Sequence, residues 1–205
     1  MITLLDYRRK VGDLYRLIRE NRTDSPHTYQ SFKSTRDDLF GLHPQSPLDA
    51  NQKSSFKGLR YFAYDPAFRV VVTPKPIENP QVYTVDVGDD GAFKMRQFAE
   101  VNINLPTGTG TLGVFWIEGY GGGVFIPFRD ESNGTETYGG GRYILDTIKG
   151  ADLGVTEDGA LILDFNYAYH PSCYYNPRWV CPLAPPQNHL SFPVPTGEML
   201  MTADK

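Results

Sequence analysis

The hydrophobic pattern divides the chain into a helical part and a strand-rich part. Over residues 4–18, apolar positions recur at spacings of three and four with charged residues between them, which predicts an amphipathic helix. A second helix is predicted over residues 26–40 with Ser25 as its N-cap, and Ser46 begins a third, short helix in the same way. The apolar stripe of the first helix requires a surface to pack on, so we expect the helices to lie against the rest of the protein.

From residue 56 onwards the dominant period is two, which is the pattern of strands with one buried face. About eight short strands are predicted over residues 68–165, joined by glycine-containing turns at 88–91 and at Asn133-Gly134. Closure of such a sheet removes its exposed edges. The predicted fold is therefore mainly β (α+β): an antiparallel β-barrel or barrel-like sandwich that carries the N-terminal helices.

The regular pattern stops near residue 166. Residues 166–205 contain both cysteines and many prolines, and such a composition cannot continue a helix or a central strand. We therefore predict an irregular, proline-rich segment that wraps over the core. The whole chain is expected to form one domain, with a helical segment at 1–50 packed on a β core at 56–165.

Composition supports this class and narrows the partners. The chain contains 20 Gly and 16 Pro, which indicates many turns and few long helices. A net charge of -4 with mixed signs argues against nucleic acid as a partner, since binding to a polyanion requires a basic surface. No apolar run approaches the roughly 20 residues of a membrane helix, and no apolar signal core is present, so we expect a soluble cytoplasmic protein.

Polar side chains are densest in residues 124–143, which we interpret as a hairpin that lines a pocket. The predicted ligand-binding residues are Arg129, Asp130, Tyr138, Gly139, Gly140, Arg142 and, from a later segment, Asn166. Arg142, with Arg129, is expected to receive an anion. The three consecutive glycines either let the backbone approach a ligand or form a bulge that bends a strand.

The carboxylates offer a second kind of chemistry. Glu136 and Asp164 are the candidate general acid or base of a hydrolase, with or without a metal. Asp130 and Glu136 act as acid and base if burial separates their pKa values, or else they pair with the neighbouring arginines and fix the turn. Asp164 and Asn166 lie on one side of a continuing strand, where they either face the same cavity as Glu136 or tie down the irregular segment.

The two cysteines and a nearby histidine are the candidate metal ligands. Cys173 and Cys181 are separated by seven residues, rather than the two to four of most zinc sites, and there is no second pair. The alternatives are reduced thiols packed among aromatic side chains, a disulfide under oxidising conditions, or a nucleophilic cysteine with His170 as its base. The sequence assigns no cofactor.

Several short motifs, taken together, resemble the DUF1684 family of bacterial and archaeal proteins over nearly the whole chain. They lie at 46–48, 56–62, 65–66, 125–130, 136–143, 164–166, 168–169, 173, 175–177, 181–183 and 197–198. The resemblance implies that the polar motifs belong together but carries no activity with it. His170 stands where the family has asparagine, which argues against a family-wide metal ligand there. Gln187 and His189 also depart from the family pattern, so no role that needs a carboxylate or a guanidinium carries over to them.

The first functional hypothesis is the binding of a small polar or anionic ligand in a pocket formed by residues 124–143 and 164–181. The second is the hydrolase with Glu136 or Asp164. The third is a structural or interaction protein in which the first helix forms a homodimer contact. The first two hypotheses require residues 136–142 and 164–166 to converge on one hollow. A flavin would be compatible with the strand count, but no phosphate-binding motif supports it.

Overall fold

The computed structural model describes residues 2–21, 26–86 and 91–201. The helices are α1 (Ile2–Glu20), α2 (Pro26–Gly41), α3 (Ala50–Ser55) and α4 (Ser172–Tyr175). The strands are β1 (Arg69–Val72), β2 (Lys75–Pro76), β3 (Val82–Asp86), β4 (Ala92–Leu105), β5 (Gly108–Ile117), β6 (Gly123–Phe128), β7 (Arg142–Asp146) and β8 (Leu161–Asp164). Short 3-10 helices lie at Pro66–Phe68, Phe165–Tyr167 and Pro186–Asn188.

The predicted N-terminal helices are confirmed. The apolar stripe of α1 buries Leu14, Tyr15 and Ile18 against a cluster that includes Phe32 of α2 and aromatic residues of the strands. The partner of this stripe is therefore the protein itself. Ser25, the predicted N-cap of α2, lies outside the described residues.

The third helix begins later than predicted, because a different residue caps it. Asp49 accepts a hydrogen bond from the Gln52 N–H at 2.8 Å, and the Gln52 side chain accepts one from the Asp49 N–H at 2.9 Å. This reciprocal capping box satisfies two free donors at the helix start. Ser46 is buried instead and accepts from the Leu48 N–H in the loop before the helix.

The strands form two antiparallel sheets, as the period of two predicts. In the six-stranded sheet the order is β2-β4-β5-β6-β7, and β3 also pairs with β4. In the second sheet β1 pairs with β8. The turn predicted at 88–91 lies mostly outside the described residues. Among the described strands, no pairing closes the larger sheet on itself, so the barrel stays a prediction.

The main core lies between the two sheets and the C-terminal segment. Its fully buried members include Val101, Leu112, Ile126, Phe128, Leu163, Phe165 and Val194. The C-terminal segment is irregular between its short helices, and its backbone is tied down by side chains. Asn188 accepts from the Gly113 N–H at 2.7 Å and donates to the carbonyl oxygens of Gly113 at 3.0 Å and Pro127 at 2.6 Å. One amide side chain thus pairs three buried backbone groups of the sheet.

The predicted hairpin at 124–143 differs from a tight two-residue turn. β6 ends at Phe128 and β7 begins at Arg142, and a compact loop joins them. The Ser132 carbonyl accepts the backbone N–H groups of Thr135, Glu136 and Thr137, while Gly134 adopts a φ of 83°. Gly134 therefore has a left-handed conformation, which suits the predicted turn at Asn133-Gly134. The turn belongs to a loop closed by the Ser132 carbonyl and does not connect two strands directly.

The three consecutive glycines of this loop are not equivalent. Gly141 has a φ of 93°, and a Cβ atom there would lie 2.4 Å from the carbonyl oxygen of Phe128. Its N–H donates to the Tyr138 carbonyl at 2.9 Å. At Gly139 a Cβ atom would meet nothing within 4 Å. Gly141 is therefore required where the loop closes on β6, whereas Gly139 is free of that constraint.

Substitution of these glycines by alanine tests the difference. We expect Gly141→Ala to lower the free energy of unfolding by at least about 2 kcal/mol, because a left-handed backbone is strained and the new methyl group overlaps a carbonyl oxygen. Gly139→Ala is the matched control and should change it by less than about 0.5 kcal/mol. Urea unfolding of both variants measures the effect. Equal stability of the two variants would contradict the assignment.

Candidate functional site

The structure brings two predicted ligand-binding residues together, but in the interior. Arg142 and Asp130 are 0% and 1% exposed, and the Arg142 guanidinium donates to the Asp130 carboxylate at 2.8 Å. The same guanidinium donates to the carbonyl oxygens of Val194, at 2.8 Å, and of Thr196. Asp130 also accepts from the N–H groups of Ser132 and Val194. This buried ion pair joins the 129–141 loop to the C-terminal segment and leaves the Arg142 side chain without exposed surface.

The other predicted site residues lie in different environments, some buried and some exposed. Asp164 is buried and caps the 3-10 helix that follows it, by accepting from the Asn166 N–H at 3.0 Å. Asn166 is fully buried, and its side chain bonds to both the N–H and the carbonyl oxygen of Asp65. Glu136 and Gly139 are exposed, whereas Arg129, Tyr138 and Gly140 are half-buried. Asp164 and Asn166 thus tie down the chain, which is the structural one of the two roles predicted for them.

The Asp130–Arg142 pair generates a prediction about stability. Asp130→Ala leaves the Arg142 guanidinium buried without its counter-charge, so we expect a loss of about 3–5 kcal/mol in the free energy of unfolding. Glu131→Ala is the matched control, because the neighbouring Glu131 is exposed and its loss should cost less than about 1 kcal/mol. Chemical denaturation of the two variants measures the loss of unfolding free energy. A similar loss in both variants would contradict a stabilising role of the ion pair.

A cavity with a mixed apolar and polar lining lies between α1, α2 and residues 169–181. Its volume is about 430 Å³. Its walls come from α1, α2, the loop before α3, the loop after β7 and the C-terminal segment, and its lining residues are Leu4, Tyr7, Arg8, Val11, Tyr15, Arg36, Phe40, Gln45, Pro47, Lys149, Ala151, Tyr169, His170, Ser172, Trp179, Val180 and Cys181. We call it the helix cavity. Of the predicted site residues it contains His170 and Cys181.

A buried polar network supports the floor of the helix cavity. Arg36 donates to Glu198 at 2.8 Å and to the Tyr61 hydroxyl at 2.7 Å. The Glu198 carboxylate, which is 0% exposed, also accepts from the His170 N–H at 3.0 Å and from the Tyr175 hydroxyl. We call these five residues the Glu198 cluster. They join α2 to the C-terminal segment through one shared carboxylate.

Burial controls protonation within this cluster. It raises the pKa of Glu198 to about 7, although the Arg36 guanidinium opposes the shift. Burial also holds the pKa of His170 well below its usual range, and the positive charges of Arg142 and Arg36 act in the same direction. The His170 ring is therefore neutral. Its Nε2 accepts the Tyr138 N–H at 3.1 Å, so its proton lies on Nδ1, which is 3.8 Å from Glu198 and has no hydrogen-bond partner.

The raised pKa of Glu198 predicts a dependence of stability on pH. Because the folded state favours the protonated carboxyl, the contribution of Glu198 to stability is complete below its ordinary pKa of 4.5 and is lost as the pH rises through about 7. Relative to Glu198→Gln, the wild type should lose up to about 3 kcal/mol of unfolding free energy across this range, since one pKa unit corresponds to about 1.4 kcal/mol.

Urea unfolding of both proteins at stepped pH measures this difference. His170 acts in the opposite direction, since a lowered pKa makes its contribution disappear as the pH falls. Both proteins contain His170, so comparing them largely cancels its effect. A difference between wild type and Glu198→Gln that stays constant with pH would contradict the prediction.

The cysteines lie at the edge of the helix cavity. Both are free thiols and half-buried, and the Cys173 N–H donates to the Cys181 sulfur at 3.4 Å. The Cys173 sulfur is 3.9 Å from the Tyr138 hydroxyl. Across the described ranges, no group of three or more His, Cys, Asp or Glu side chains is arranged to hold a metal ion.

The sequence analysis did not select Arg36 or Glu198 as site residues, although the sequence position of each gives an indication of its role. Arg36 stands on the apolar face of α2, four residues after Phe32 and four before Phe40, and its guanidinium carbon lies 5.6 Å and 5.2 Å from the centres of these rings. A cation inside an apolar stripe indicates a buried partner. Glu198 belonged to the last of the family motifs. Neither signal identifies the other residue as its partner.

Comparison with known proteins places the fold in a family. The sequence profile of DUF1684, a protein family of unknown function, matches residues 54–199, so the chain belongs to this family. The solution NMR structure of an uncharacterised protein from Haloarcula marismortui is 30% identical, covers 88% of this chain and 97% of that chain, and superposes with a TM-score of 0.62. Among curated proteins no sequence matches. Within the described part of the chain, every helix is too short or too polar to cross a membrane.

Proposed function

We propose that the protein binds a small amphiphilic molecule with an anionic group in the helix cavity. A volume of about 430 Å³ suits a small ligand, because binding sites of this kind measure about 300–1,000 Å³. Their walls are mostly apolar and aromatic, with a few polar groups that fix the orientation of the ligand. The lining of the helix cavity has this composition.

The observation that carries the proposal is a pair of buried polar atoms without partners. Tyr15 and His170 line the helix cavity, and both the Tyr15 hydroxyl and His170 Nδ1 lack a hydrogen bond. Leaving a buried polar group unpaired costs about 1–3 kcal/mol. A bound polar group that pairs with the Tyr15 hydroxyl would recover part of this cost. The cavity thus combines an apolar wall with an unsatisfied polar position.

The charges of the lining residues favour an anion. Three cationic side chains, those of Arg8, Arg36 and Lys149, line the helix cavity, and its described lining includes no carboxylate. Arg36 is paired with Glu198, and the exposed Lys149 lies 3.8 Å from the Asp146 carboxylate, so the exposed Arg8 at the mouth supplies the least compensated charge. An amphiphile would place its apolar body on Tyr7, Val11 and Phe40 and its anion at the mouth.

This proposal keeps the class of ligand predicted from sequence and changes its place. The segment 164–181 contributes to the helix cavity, but the 124–143 hairpin is replaced by α1 and α2. The hydrolase residues Glu136 and Asp164 stay predictions, since one is exposed and the other caps a 3-10 helix. The homodimer also stays a prediction, and the buried part of the α1 stripe is already used within the chain.

Ligand binding is tested with matched compounds. We expect saturated fatty acids of medium length and aromatic carboxylates to raise the melting temperature, and alcohols with the same apolar body to raise it less, because they lack the charge. The affinity for the carboxylates should fall with added salt, since the mouth charges are exposed. Differential scanning fluorimetry followed by isothermal titration calorimetry measures both effects.

Two variants locate the site. Arg8→Ala should weaken carboxylate binding by about three-fold, the size expected for one exposed charge, while Arg9→Ala on the same helix is exposed, lies outside the lining and should have no effect. Val11→Phe narrows the cavity and should reduce binding of all the compounds. If no compound shifts the transition, or if Arg8→Ala and Arg9→Ala behave alike, the proposal is wrong.

A further inference from the structure

Cys173 and Cys181 are neighbours in the structure, as the disulfide considered from sequence requires. Residues 172–175 form α4, and the following segment returns so that Cys181 lies beside the first turn of this helix. The Cys173 N–H donates to the Cys181 sulfur at 3.4 Å, so the two side chains lie side by side. Cys181 also lines the helix cavity, so one member of the pair is reached from that space.

The two sulfurs have different surroundings. The Cys173 thiol beside Cys181, the Cys173 N–H that donates to the Cys181 sulfur at 3.4 Å, and the nearby Lys149 ammonium all favour a negative charge on Cys181. These groups lower the pKa of Cys181 to about 6, against the effect of burial. The pKa of Cys173 is raised, because it lies beside Cys181 and is partly buried. A negative charge on this pair is thus favoured on Cys181 over Cys173.

His170 does not supply this activation. Its Nε2 accepts the Tyr138 N–H, and its Nδ1 is buried near Glu198. The hydrogen bond to the Cys181 sulfur comes instead from the Cys173 backbone N–H. The nucleophile therefore requires no histidine base, in contrast to the arrangement considered from sequence.

We propose that Cys181 and Cys173 are a dithiol reaction site on the wall of the helix cavity, and that its substrate is a low-molecular-weight disulfide. The Cys181 thiolate attacks one sulfur of the disulfide, a Cys181–sulfur bond forms, and the first half leaves as a thiolate. The Cys173 sulfur then attacks Cys181, the second half leaves, and the Cys173 proton accompanies it. The protein loses two electrons and becomes an internal disulfide, while the small disulfide is reduced to two thiols.

The division of roles follows from the contacts. Attack requires a thiolate that the reagent can reach, and Cys181 combines the lowered pKa with a position on the cavity wall. Resolution requires a second sulfur close to the first, and the Cys173 N–H lies 3.4 Å from the Cys181 sulfur, which places the two cysteines side by side. This chemistry depends on the cavity for access only, and it stands or fails separately from the binding of an anionic amphiphile.

The experiment uses the reduced full chain and oxidised glutathione, with acid quenching and intact-mass and peptide analysis. The wild type should form the internal Cys173–Cys181 disulfide without retaining glutathione. Cys173→Ser should retain one glutathione on Cys181, because the resolving thiol is absent. Cys181→Ser should react at Cys173 at least ten-fold more slowly than Cys173→Ser reacts at Cys181. Circular dichroism and thermal unfolding confirm that each serine variant is folded.

Three results would overturn the proposal. The first is a wild type that stays reduced under conditions that modify an unfolded peptide spanning residues 170–184. The second is a wild type that retains glutathione on both cysteines. The third is equal reaction rates in the two serine variants, which would show that the cysteines are independent thiols. Because the wild-type result requires no substitution, misfolding of a variant does not leave the question open.

Discussion

The Glu198 carboxylate is fully buried near the end of the described chain, and water is not available there to stabilise its charge. It is therefore surrounded by donors from distant parts of the sequence: Arg36 of α2, the Tyr175 hydroxyl and the His170 backbone. Removing either charge of such a pair would leave the other uncompensated in a medium of low polarity. This requirement fixes α2 against the C-terminal segment, and the helix cavity lies between these same elements.

A second buried pair repeats this solution on the other side of the C-terminal segment. Arg142 and Asp130 both bond to the backbone of residues 194–196, only two positions before Glu198. The segment is thus held by ionic and amide side chains where it has no strand partner of its own. An irregular chain buried over a core requires such contacts, because its N–H and carbonyl groups lack the regular pairing of a sheet. The polar density at 124–143 is explained by this structural demand.

Some residues that stabilise the fold also line the helix cavity. Arg36 and His170 belong to the Glu198 cluster and also line the cavity, so the groups that hold the fold together also form its floor. Cys181 lies on the same wall, where the Cys173 N–H donates a hydrogen bond to its sulfur. The proposed anionic ligand and the proposed disulfide substrate would both enter through this cavity.

Short-range patterns determined much of the fold. The period of α1, the alternation in the strands and the left-handed Gly134 all depend on residues within a few positions of each other, and each appears in the structure. The predicted start of α3 was wrong, because Asp49 caps the helix instead of the nearby Ser46. The Asn133-Gly134 turn became a closed loop because Ser132 collects three N–H groups. A side-chain capping box thus decided the first case, and a backbone carbonyl that accepts three N–H groups decided the second.

By itself, then, the sequence determined the helices, the antiparallel strands, the irregular end of the chain and the family. The tertiary structure alone decided which charges meet: Arg36 and Glu198 are 162 positions apart, and no periodic pattern connects them. It also decided that Arg142 is buried with Asp130 rather than open to an anion. The physical reason is that local conformation follows from neighbours along the chain, whereas the partner of a buried charge follows from how distant elements pack.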